Sequence, residues 1–177
     1  LLDQLVSLKG IRRIFYGFIT LFEFSLFSYF FYLNIKRPFF RQLIIAFGIL
    51  FFVFISFYTH FAPFVRIDSI PIGIETILIL LYSFYFLYEE MNNTNVLFLY
   101  NKYQFWIVIG FMIYLAGCFF MYIFANQLPQ EMVEQYWFII DIFLILKNLL
   151  FSIAILVFAL SRNEKTPPRI PTLKVTT

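Results

Sequence analysis

The stretch Phe105-Trp106-Ile107-Val108-Ile109-Gly110-Phe111-Met112-Ile113-Tyr114-Leu115-Ala116-Gly117-Cys118-Phe119-Phe120-Met121-Tyr122-Ile123-Phe124 runs for 20 residues without one charge. About 20 mostly apolar residues are what an α-helix needs to cross roughly 30 Å of hydrocarbon. Four further segments have the same character, giving spans at 14–33, 43–62, 70–88, 105–124 and 137–160. Barrel strands would alternate apolar and polar over about 10 residues. These runs are longer and apolar on every face, so helices are expected. None is an isolated apolar run before a small-residue cleavage site, which argues against a signal peptide.

The composition agrees. Of 177 residues, 62% are hydrophobic and 13% charged, with 28 Phe and 12 Tyr. Soluble domains carry about 25% charged residues. A soluble globular protein, a disordered chain and a disulfide-stapled domain are all excluded, the last because Cys118 is the single cysteine. The net charge of +3 is scattered through short loops, so nucleic acid is not an expected partner. The expected architecture is all-α, a polytopic transmembrane bundle over residues 1–162 with five helices in this chain. Residues 163–177, with three prolines, form a flexible basic tail. The chain starts at Leu1, and residues 1–6 are expected to be the outer end of a helix that lies upstream.

Basic residues set the orientation. The 34–42 loop, the 89–104 loop and the tail carry eight Lys and Arg, against four on the other side (Lys9, Arg12, Arg13 and Arg66). The positive-inside rule puts the C-terminus in the cytoplasm, with the inner membrane of a bacterium as the expected site. Tyr100, Tyr103 and Trp106 then anchor the inner edge, and Tyr136 and Trp137 the outer. The sequon Asn92-Asn93-Thr94 falls on the cytoplasmic side and is discounted.

Four charged residues stand well inside the spans: Glu23, Glu75, Asp141 and Lys147. Each costs about 2.5–3.5 kcal/mol at a helix centre even on lenient scales, so each calls for a partner. Glu23, Lys147 and Asn148 fall near the midplane. They are read as an ion pair locking the first and last spans, with Asn148 satisfying a leftover lone pair, or else as a proton relay or counter-ion. His60, Glu75 and Asp141 form an outer layer from three helices. That layer suits a divalent cation or a pH sensor, or His60 and Asp141 merely reach for the interface; the spacing shows no metal motif, and neither metal nor cofactor is expected. Glu134, Asp141 and Asn148 recur every seven residues, with Ser152 beyond, and Glu75, Tyr82 and Glu89 do the same on the third span. Both stripes are expected to meet inside the bundle or to border a narrow hydrated cavity. Gly110 and Gly117, also seven apart, are expected at a close helix contact.

Catalytic patterns are missing: there is no G-x-S-x-G, and Glu89-Glu90 lacks the arginine and histidines of a CAAX-type protease. An enzyme is not expected. Phe18–Tyr32, Ile74–Glu89, Phe105–Phe120 and Trp137–Ser152 together resemble a family of small multi-pass inner-membrane proteins of the Bacteroidota that has no assigned activity. The resemblance implies six or seven helices in the full protein. It places Glu23 and Glu75 on recurring intramembrane glutamates, and Trp106 and Gly110 on an F-W-I-x-x-G-F-L-I-Y motif. It also brings sensor histidine kinases into view as partners, since some members are encoded beside them. The expected function is a non-catalytic sensory or signalling subunit in the lipid bilayer, working with a membrane partner or as a homo-oligomer. The alternative is a proton, ion or small-solute transporter or channel subunit using the intramembrane carboxylates.

Overall fold

The computed structural model describes residues 2–61, 69–92, 99–124 and 127–164. Its helices are α1 (Leu2–Asn34), α2 (Pro38–Phe61), α3 (Ser69–Met91), α4 (Tyr103–Phe124), the short α5 (Gln130–Tyr136) and α6 (Phe138–Glu164), with a 3-10 turn at Leu99–Asn101. No strand occurs among the described residues. Five helical segments are long and apolar enough to cross a membrane: Ile14–Asn34, Pro38–Phe61, Ser69–Met91, Tyr103–Phe124 and Glu131–Ser161. The protein is thus an all-α, multi-pass bundle built for a bilayer. Only helices and closed barrels satisfy every backbone N–H and C=O without water, and each of these segments is a helix.

The boundaries follow local chemistry. Pro38 opens α2, where its missing N–H is no loss, and Pro71 sits in the first turn of α3. One boundary corrects the sequence reading: residues 2–6 belong to α1, one unbroken helix of 33 residues, rather than to the end of a separate helix. The polar residues Asp3, Gln4, Lys9, Arg12 and Arg13 depress hydropathy there, but helix formation does not require it. The tail beyond residue 164, Arg66, Asp68 and the sequon positions Asn93 and Thr94 lie outside the described residues.

Packing centres on α3, which buries 44% of its spanning window against 11% for α6. Its buried residues Glu75, Ile79, Tyr82, Phe86 and Glu90 advance by three or four, with Thr76 and Ser83 beside them, and so form one face. The principal contacts join α2 to α1, α1 to α3, α3 to α4, and α4 to α6. Lipid tails are as apolar as leucine, so hydrophobicity does not draw these helices together and close packing must. Aromatic rings supply much of it. Phe111 of α4 meets Phe27, Phe30 and Phe31 of α1 and Phe151 of α6, at centroid distances from 4.3 to 6.4 Å. Phe31, fully buried, also meets Tyr82 and Phe86 of α3 edge-on.

Between α4 and α6 the glycines set the approach. A Cβ on Gly110 would come within 2.9 Å of the Phe151 ring, and one on Gly117 within 2.5 Å of the Phe143 ring. Gly48 of α2 has open space at the same position. Replacing Gly117 by valine is therefore expected to destabilise the bundle by about 1–3 kcal/mol, the usual range for overpacking. Gly48→Val should lie within about 0.5 kcal/mol of wild type, as surface substitutions do. Unfolding midpoints of the two variants in mixed micelles check the contrast.

Candidate functional site

Two places gather polar side chains. The first is at the end of the bundle where α1 hands over to α2. Glu89 and Glu90 close α3, and the loop after Asn34 folds onto them. Glu89 accepts the backbone N–H of Lys36 at 2.8 Å and of Arg37 at 3.1 Å, which caps the approach to α2 from another helix. Glu90, buried to 4% exposure, accepts from the Lys36 ammonium at 2.9 Å and also from Lys102, just before α4. Arg41 donates to the Tyr32 carbonyl at 3.0 Å, and Phe40 stacks on Tyr85. The sequence reading placed Glu89 on the polar stripe of the third span and gave Glu90 no role. A doubled glutamate beside two basic loops on the same side was the available signal. These contacts are structural: every partner of Glu90 is a cation of the chain itself.

The second place is a cavity of about 290 Å³ among α1, α3, α4 and Trp137, the residue that joins α5 to α6. Glu23 and Thr20 line it from α1, Glu75 and Thr76 from α3, and Tyr114, Cys118 and Tyr122 from α4. Tyr16 and Trp137, 51% and 40% exposed, mark where it reaches the surface. Glu75 is the unusual member. It is 5% exposed, and its Oε1 has no hydrogen-bond partner. Glu23 lies near enough for the two carboxylates to repel one another. Small residues in its wall, Thr20 on α1, Thr76 on α3 and Cys118 on α4, leave room that bulky side chains fill elsewhere in the core.

The placement of the remaining residues departs from the sequence reading in three ways. Lys147 faces the bundle, but its ammonium stands over the Tyr114 ring, 4.1 Å from the centroid, and not in direct ion-pair contact with Glu23, whose charge it feels from farther off. Asn148 is exposed on the outside of α6 and does not complete that pair. The outer layer does not assemble as a cluster, and the alternative in which His60 and Asp141 merely reach outward fits better: Glu75 is buried in the cavity, whereas His60 and Asp141 are exposed on α2 and α6, which pack principally on different helices. No group of His, Cys, Asp or Glu among the described residues is arranged to hold a metal ion.

The two polar stripes also part company. On α3 Glu75 and Tyr82 point inward. On α6 the inward face is Ile140, Phe143, Lys147, Leu150 and Ala154, because Leu150 and Phe151 lie on Gly110 and Phe143 lies on Gly117. Glu134, Asp141, Asn148 and Ser152 are carried to the exposed side. A helix turns about 100° per residue, so Asn148, one residue after the inward-facing Lys147, points out of the bundle.

An unpartnered buried carboxylate is a standing cost to the fold. Glu75→Met, which replaces the unpartnered polar end with an apolar one of similar size, is expected to stabilise the bundle by about 1–3 kcal/mol. Glu90→Gln is expected to destabilise it by a similar amount, since Lys36 and Lys102 lose their carboxylate. Unfolding curves of both variants in one detergent mixture test the opposite signs. No protein-family model, no curated protein and no solved structure matches this chain.

Proposed function

We propose that the protein is a non-catalytic subunit of a membrane complex, in which α6 presents its polar edge to a transmembrane helix of a partner. The observation that carries this reading is Asn148. It stands ten residues into α6, on the exposed side, and its carboxamide makes no hydrogen bond with the described residues. Asp141 is exposed on the same side, though its place in the first turn of α6 suits the positive end of the helix dipole. Ser152 answers its own hydroxyl by donating to the Asn148 carbonyl at 2.9 Å. A side-chain amide in hydrocarbon lacks water, and a neighbouring helix is where its donors and acceptor find partners.

A sensory or signalling role fits this arrangement, with a sensor kinase of the inner membrane as the kind of partner and the C-terminus on the cytoplasmic side. The basic loops at the Glu90 end support that orientation by the positive-inside rule. A second reading, a transporter or channel subunit for a proton, ion or small solute, draws on a different observation: the cavity with its two carboxylates.

The readings separate on one experiment. The full-length protein is recovered from its native membrane in mild detergent after cross-linking, beside an Asn148→Leu variant. Interhelical side-chain hydrogen bonds contribute about 0.6–2 kcal/mol, so a partner held through α6 is expected to drop roughly 3- to 30-fold in yield with Asn148→Leu. A protein recovered alone from both, or a homo-oligomer that Asn148→Leu leaves intact, overturns the partner reading and turns attention to flux through the cavity.

A further inference from the structure

We propose that the cavity beneath Trp137 is a binding site for a small monovalent organic cation, an ammonium head group held between Glu75, Glu23 and the tyrosine rings of α4.

Four observations converge on it. The space is real, about 290 Å³, just under the ~300–1,000 Å³ that pockets for drug-sized ligands occupy, so it suits a head of a few heavy atoms. Its buried wall ends in a carboxylate oxygen with no partner in the protein, on a side chain 5% exposed. A second carboxylate, Glu23, lines the same space. Its flank is aromatic, with Tyr16, Tyr114, Tyr122 and Trp137 around it, and aromatic faces attract ammonium groups.

The chain itself shows what kind of charge this region takes. Lys147 lays its ammonium over Tyr114 at 4.1 Å from the ring centroid, the geometry of a cation–π contact. It therefore acts as a tethered counterpart of the proposed ligand. A bound ammonium favours the ionised form of the carboxylates that line the space, and Lys147 already brings one cation to the same region. A bare divalent metal fits less well, because no His, Cys, Asp or Glu cluster among the described residues has ligand geometry. Quaternary and alkyl ammonium groups instead need one or two carboxylates and a ring of aromatic faces.

This inference concerns the interior of α1, α3 and α4 and is independent of the partner proposed for α6. Ligand binding is measured on the isolated chain, so each can fail without the other.

The test uses the whole protein in nanodiscs with Trp106→Phe, which leaves Trp137, one of the two tryptophans and a lining residue, as the sole indole reporter. Choline is titrated against Trp137 emission, with its uncharged isostere 3,3-dimethyl-1-butanol as comparison. The expected result is a saturable change with choline and none with the alcohol at equal concentration. Glu75→Gln should weaken choline binding by about tenfold or more, since a quaternary ammonium donates no hydrogen bond and is held by the carboxylate's charge. Lys147→Met should tighten it severalfold, since it frees the Tyr114 face and removes a competing charge. Equal binding of the alcohol, no saturable response to choline, or Glu75→Gln and Lys147→Met shifting affinity in the same direction would each overturn the proposal. The comparison of choline with the alcohol needs no variant at Glu75 or Lys147, so it decides the matter even where one of those variants fails to fold.

Discussion

Everything at one end of the bundle hangs on the carboxylate of Glu90. It draws an ammonium from the loop between α1 and α2 and another from the residue preceding α4, so three segments far apart in sequence meet on one buried group. Lys36 is 56% exposed and Lys102 32%, which makes Lys102 the better shielded partner and the stronger of the two contacts. Glu89 beside it binds the backbone rather than another charge, and thereby fixes where α2 begins. The pair fastens both neighbours of α3 to its end, which is why α3 is the helix around which the others are placed.

Away from that end, the bundle is held by shape. Phe111 and Phe31 bring α1, α3, α4 and α6 into contact through edge-on and tilted rings, and Gly110 and Gly117 admit the rings of α6 up to the α4 backbone. Such contacts are individually weak but many, and in hydrocarbon they replace the hydrophobic drive of a soluble core. The cavity stands out against this background as a place where packing gives way to polar groups. Glu75 there has the opposite standing to Glu90: one carboxylate is surrounded by cations, the other has an oxygen that nothing in the chain satisfies.

The fold was legible because length and apolar content alone identify a spanning helix, and five helices of that kind are present. The start of α1 was not, since hydropathy marks where a helix can sit in lipid and not where it begins. Side-chain direction was harder. On a helix apolar all round, the sequence does not say which face packs inward, so the heptad stripe on α6 was recognised while its outward direction was not. The same ambiguity assembled His60, Glu75 and Asp141 on depth alone, though depth says nothing of which helices adjoin. Glu23 and Glu75 stood out as charges where none is welcome. The cavity they share did not, because it depends on small residues of α1, α3 and α4 that meet only after folding.

The order of contacts along the bundle bears on how the chain is made. α1 packs on α2, α3 on α4, and α4 on α6, each an early contact between successive spans, and α1 with α3 is the principal contact that skips one. A chain emerging span by span can thus form each antiparallel pair as its second member arrives, with little waiting for distant segments. The glutamates at the end of α3 emerge after Lys36 but before Lys102, so the α1–α2 loop can be fastened while α4 is still being synthesised. Of the described helices α6 emerges after the others and docks on the glycine face of α4. The helix with the polar outer edge has its principal contact with α4, so truncating it would strip α4 of that partner while leaving the α1–α2 and α1–α3 contacts in place.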